Sequence, residues 1–283
     1  GGMSTVLMAP VNTFAGESKE PILAVMRRDR DNFTKVVEDP ANWNVMTRCT
    51  GWETRDLVGH LIDVIEGYFK NWDAALRGDT PTPLGMAAMG STLNDHALDF
   101  RRLDRNEALD RFKQDALKLD GMLDALTPEQ WGGGLMISHP YAGPVPAGCY
   151  ASFQIMDYGV HPYDVEYGLG NKLATIPEDS AGIILPFTFI FWQNTVDQKQ
   201  AAGFAATYGI EVGGPYGGKW RCTVKDGAFA YEPESGSFEG CDALFSFANA
   251  AEEVLTHFGR FPGGSAQGDP EVIHKVRHLF FPF

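Results

Sequence analysis

The stretch Asp157-Tyr-Gly-Val-His161-Pro-Tyr-Asp164 decides how the chain is read. Asp157 and His161 are four residues apart, which on a helix stacks a carboxylate and an imidazole on one face, and Asp164 follows a turn later. Phe153, Met156 and Val160 precede and interleave with them, so this face points into a core. Polar groups turned inward need partners, because burying them unpaired is costly. A metal ion is one such partner, and it needs a third ligand from elsewhere. His60, on an earlier helix, is the best donor. The pair alone is also an ordinary helix contact, and Pro162 removes a backbone hydrogen bond beside His161, which predicts a kink there.

Working outward, the apolar spacing predicts a first helix over about 20–38. Thr50-Gly-Trp-Glu53 reads as a capping box that opens a second helix running to about Leu76, with His60 at the edge of its apolar stripe. A third helical region spans about 91–126 with a break near Asp104, and a long Gly- and Pro-rich connection over 131–148 leads into a fourth helix, 150–167. Four helices with long connections suit a bundle, and bundles build metal sites from facing helices.

The pattern changes after Gly170. A helix over 183–192 is followed by short runs at 204–212, 220–224 and 229–231, with the hairpin signal Asp226-Gly227 between the last two. Residues 242–258 return to helical spacing, and 271–280 read as a short final helix. The expected fold class is α+β: a helical domain over 18–172, then a small α+β domain with an antiparallel sheet over 176–283, the boundary falling within 168–182.

The 283 residues carry a formal charge of −14, with 44% hydrophobic side chains. The acidic balance argues against nucleic-acid partners, which call for Lys and Arg. No apolar run approaches the roughly 20 residues of a membrane span, so a cytoplasmic protein is expected, acting on a small molecule; its oligomeric state is left open. Gly1-Gly2 reads as a tag remnant and 4–16 as an irregular lead-in. The widely spaced Cys49, Cys149, Cys222 and Cys241 form no CxxC pair, and reduced, mostly buried thiols are the expectation. His96, His139, His257, His274 and His278 lack a partner at ligand spacing and read as surface or packing residues.

The segment Cys49-Thr-Gly-Trp-Glu-Thr-Arg-Asp-Leu-Val-Gly-His60-Leu, with the later Asp157, His161 and Asp164, resembles the mycothiol-dependent maleylpyruvate isomerase family of DinB-like metal-binding four-helix bundles. The likeness covers about residues 18–170. It implies that His60, Asp157 and His161 bind zinc, with Asp157 standing where the family usually has the longer Glu, and that Asp164 orients a ligand histidine. The tail resembles the sterol-carrier-protein-like domain often fused to this bundle, on Gly213-Gly-Pro, Gly218-Lys-Trp220, Val224-Lys-Asp-Gly227, Asp242-Ala, Phe258-Gly259-Arg260 and Gly268-Asp269-Pro270. Arg260 is then a candidate for gripping a substrate carboxylate.

The resemblance implies a zinc- and mycothiol-dependent isomerase or S-transferase acting on a small electrophile: the thiol, activated at the metal's open position, adds to an electrophilic carbon and later leaves. A non-enzymatic protein binding a metal or an apolar ligand, and a metal-dependent hydrolase, are the alternatives.

Overall fold

The computed structural model describes residues 12–283, and most of the expected lead-in lies outside them. The described residues divide into two compact units, 12–176 and 177–283.

The first unit is helical. Its helices are α1 (Lys19–Glu38), α2 (Thr54–Leu76), α3 (Met89–Asp99), α4 (Arg105–Asp124) and α5 (Cys149–Gly168). α1 packs on α5, while α2 packs on α3 and α4. The stripes that define the helices meet in one core, where Phe33 lies 5.4 Å from Phe112 and 5.6 Å from Tyr158, ring centre to ring centre. The third helical region is broken as expected. A 3-10 turn over 100–102 separates α3 from α4, and Asp104 caps α4 by accepting from the Glu107 amide. α5 runs on through Pro162.

Two expectations for this unit change. The capping box that starts α2 is formed by Glu53 and Asp56, three residues later than Thr50 and Glu53. Gly51, at φ 83°, turns the chain there, and the Thr47 amide donates to the Trp52 carbonyl, so residues 47–52 close a loop before the helix starts. The 131–148 connection, for its part, holds a two-stranded hairpin, β1 (Met136–His139) and β2 (Gly143–Pro146).

The second unit is α+β. It contains α6 (Glu178–Asn194), α7 (Gln198–Ala201), β3 (Ala206–Val212), β4 (Gly218–Lys225), β5 (Ala228–Pro233), β6 (Ala243–Phe247), α8 (Ala250–His257), β7 (Ser265–Gly268) and α9 (Pro270–Arg277). The sheet order is β5-β4-β3-β6-β7. Asp226 and Gly227 both have positive φ, 52° and 76°, as the tight turn joining β4 and β5 requires. The sheet is mixed, not antiparallel: β6 runs parallel to β3, pairing Tyr208 with Ala243 through Val212 with Phe247. Residues 242–258 were expected to be helical throughout, yet the first of them form β6. α8 starts only where the Asn249 side chain accepts from the Glu252 amide, and Ala243–Phe247 instead satisfy their backbone against β3 and β7. Among the described residues no helix is long and apolar enough to cross a membrane.

Candidate metal centre

α2 presents His60 from its second turn, and α5 presents Asp157, His161 and Asp164 from one face. His60 and His161 are buried, at 5% and 7% exposure. The Nε2 atoms of both imidazoles lie 3.1 Å from the same oxygen, Asp157 Oδ1. One nitrogen from each histidine and this oxygen all fall within 4.8 Å of one another. On the far side of the His161 ring, Nδ1 lies 2.9 Å from Asp164 Oδ2. Asp164 is fully buried.

The electrostatics follow from this arrangement. An ionised Asp164 only accepts, so His161 Nδ1 carries the proton that it donates to Asp164. Nε2 of a neutral His161 then points a lone pair at Asp157 Oδ1. Two acceptors 3.1 Å apart repel unless positive charge sits between them. Burial disfavours charge on His161, but the hydrogen bonds to Asp157, Asp164 and Cys49 outweigh it and hold its pKa well above the usual histidine value. Burial likewise works against an ionised Asp157, and the charge of His60 with the hydrogen bonds of both histidines overcomes it, leaving the carboxyl well below the usual range. A site that calls for positive charge among two nitrogens and one oxygen fits a divalent cation. Two histidines and one carboxylate are also a donor set of catalytic zinc sites, with Asp164 as the outer partner that fixes ring orientation.

Three neighbours surround the cluster. The Trp52 ring centre lies 5.1 Å from that of His60 and 6.4 Å from that of His161, and its Nε1 donates to Asn94 Oδ1. Cys49 is half-buried, and its Sγ lies 3.2 Å from Asp164 Oδ2 and 4.0 Å from His161 Nδ1. Cys49, His161 and Asp164 thus form a second group of three metal-capable donors, sharing His161. Sequence spacing gave no signal for Cys49, since 115 residues separate it from Asp164. His96 pairs with Asp63, Nδ1 to Oδ1, at 3.1 Å. In the second unit Arg260 follows α8, and its Nη1 donates to the Phe258 carbonyl.

The profile of one family, described as mycothiol maleylpyruvate isomerase N-terminal domain, matches residues 24–166. That span is half of the chain, and it contains His60, Asp157, His161 and Asp164. The chain belongs to this family. Among solved structures, a mycothiol-dependent maleylpyruvate isomerase is similar at 16% identity, with a TM-score of 0.58 over 88% of this chain and 92% of that one. A histidine-to-alanine mutant of such an isomerase gives a TM-score of 0.57 at 14% identity over the same shares. At these identities the likeness is one of fold. No curated protein matches the sequence.

Exchanging the acid tests its part in the cluster. Asp157→Asn keeps the shape and removes the negative charge. It is expected to weaken divalent-metal binding by at least the roughly 10–100-fold that loss of an outer partner costs. Asp157→Glu is expected to retain it. Elemental analysis of the purified proteins reads the outcome, and equal metal content in wild type and Asp157→Asn would remove Asp157 from the ligands.

Proposed function

We propose that this chain is a zinc- and thiol-dependent enzyme, an isomerase or S-transferase that uses mycothiol or a similar low-molecular-weight thiol on a small electrophilic substrate in the cytoplasm. The observation that supports it best is the convergence of His60 Nε2 and His161 Nε2 on Asp157 Oδ1. His60, Asp157 and His161 would hold the metal. When bound, a zinc ion supplies Lewis acidity that lowers the pKa of a thiol at its open position.

The chain's own groups do the rest. Asp164 accepts the Nδ1 proton of His161, fixing the tautomer that leaves Nε2 free to bind a metal. Asp157 brings one negative charge, so the metal keeps a net positive charge that favours a thiolate over a neutral thiol. Trp52 packs beside both imidazoles, where it excludes water and raises the strength of the charges within. We assign the second unit, 177–283, to the sterol-carrier-like class on its turn motifs and α+β make-up.

The test is cobalt substitution. A sulfur ligand on cobalt gives an intense charge-transfer band in the near ultraviolet. Adding mycothiol to the cobalt protein should produce the band, and His60→Ala should abolish it. If no cellular thiol perturbs the spectrum, thiol chemistry is excluded and a hydrolase or a binding protein becomes the better reading.

A further inference from the structure

The imidazole of His161 has nitrogens on two edges of its ring. Nε2 faces Asp157 and the metal position described above. Nδ1 faces away from it, 2.9 Å from Asp164 Oδ2 and 4.0 Å from Cys49 Sγ, and that sulfur lies 3.2 Å from the same Asp164 oxygen. A nitrogen, an oxygen and a sulfur thus close a triangle, each from a residue able to hold a metal. A tetrahedral ion with bonds of about 2.0–2.3 Å sets such donors about 3.3–3.6 Å apart. The observed separations fall on both sides of that range, so side-chain movements of roughly 0.5 Å bring all three donors to bonding distance.

The backbone holds these donors in register. Cys49 sits in the 47–52 loop, and the Arg48 amide next to it donates to the Asp164 carbonyl, which ties the loop to α5 beside the acid. The Cys49 amide donates to Thr47 Oγ1, and that hydroxyl donates to the Trp52 carbonyl. Gly168, at the end of α5, leaves room for the chain leading into the loop: a Cβ there would collide with the Met46 carbonyl oxygen. His161 and Asp164 are buried, while Cys49 is half-buried. The sulfur side therefore offers an ion a way in and a water as fourth ligand.

From this geometry we infer that Cys49 Sγ, His161 Nδ1 and Asp164 Oδ2 bind a second divalent cation of the thiolate-preferring class, zinc or cadmium, with the His161 ring bridging it to the ion held by His60 and Asp157. Sulfur and imidazole donors select that class over magnesium and calcium, which prefer oxygen. The second ion takes the place of the proton that Nδ1 otherwise donates to Asp164. Cys49 and His161 each release one proton to solvent as it binds. Charge then balances: two dications meet four anionic donors, the Cys49 thiolate, Asp157, Asp164 and the bridging imidazolate. No buried charge is left uncompensated. Once bound, the ion fastens the 47–52 loop, and Trp52 with it, to α5. The inference takes only the first ion from the proposed function and none of its thiol chemistry.

Elemental analysis of the reduced full chain, equilibrated with zinc chloride in thiol-free buffer and passed through gel filtration, counts the ions. The wild type should carry two equivalents of zinc. Cys49→Ser, whose hydroxyl can still donate to Asp164, should keep its melting temperature and lose one equivalent. Loading with cadmium instead should raise a thiolate-to-metal band in the ultraviolet that Cys49→Ser lacks and His60→Ala keeps. A single equivalent that is lost in His60→Ala and kept in Cys49→Ser overturns the inference and leaves the proposed function standing. A cadmium band of equal size in wild type and Cys49→Ser overturns it as well. The mirror result, one equivalent lost in Cys49→Ser and kept in His60→Ala, upholds the Cys49 site and removes the proposed metal centre. Cobalt reads the two apart too: the Cys49 band is present before any thiol is added, and the thiol-dependent band comes on top of it.

Discussion

The His161→Ala protein is expected to emerge from gel filtration with no bound divalent metal and to unfold at a markedly lower temperature than the wild type. His161 faces both carboxylates, Asp157 through Nε2 and Asp164 through Nδ1. Its loss removes a metal ligand and strips the fully buried Asp164 of its imidazole partner. Breaking a buried ion pair by removing one member costs about 3–5 kcal/mol, which at this size is a melting shift on the order of 10 °C. His96→Ala is the control. His96 also pairs with an aspartate, Asp63, but its side chain is half exposed, so the variant should keep its metal and its melting temperature. Full metal occupancy in His161→Ala, read by elemental analysis, would dismantle the site as described.

The contrast between those two histidines shows which information the sequence holds. The Asp157, His161 and Asp164 set was legible because all three sit on one helix, where spacing alone fixes their face. His60 was named as the third donor from its place at the edge of the second helix's apolar stripe and the resemblance strengthened that choice, since 97 residues separate it from Asp157 and no local pattern joins them. Cys49 was expected to be a buried thiol and Trp52 stood only as part of the helix-entry motif, because their contacts with the site are set by how the 47–52 loop folds back, not by any period in that loop. The sheet repeats the lesson. The β4–β5 hairpin was readable from Asp226-Gly227, a local signal. The parallel pairing of β6 with β3 was not, because five residues of mixed apolar pattern become a strand only when a distant edge is offered. The shift of the capping box has a local cause: Gly51's positive φ turns the chain, and Glu53 then takes the extended geometry an N-cap needs.

A second large effect concerns a group that the functional reading does not use. Glu253 is 1% exposed, and its Oε2 finds no hydrogen-bond partner among the described residues. Its Oε1 lies 2.9 Å from Thr188 Oγ1, which is also 2.7 Å from the Leu185 carbonyl. Thr188 has one hydroxyl proton, and the Leu185 carbonyl can only accept. The bonds are all made if Thr188 donates to Leu185 while a protonated Glu253 donates to Thr188. Among the described residues no cation acts on Glu253, only burial and the Thr188 hydrogen bond. His257, one turn along α8, has a pKa pushed down to about 3 by burial and is neutral.

Burial accordingly raises the Glu253 pKa from 4.5 to about 8, with the Thr188 hydrogen bond acting the other way. A carboxyl whose folded pKa is raised stabilises the fold fully below its unfolded value, and the contribution is lost as pH rises through the folded one. The window is therefore about pH 4.5 to 8. Glu253→Gln keeps the shape and cannot ionise. It should match the wild type at pH 5 and exceed it at pH 9 by up to about 4 kcal/mol, at roughly 1.4 kcal/mol per pH unit. Urea unfolding at pH 5, 7 and 9, followed by the fluorescence of Trp192 and Trp220 within the same unit, reads the difference. Parallel stability profiles for the two proteins across that range would mean that Glu253 is ionised in the fold, and the Thr188 relay would have to be drawn the other way.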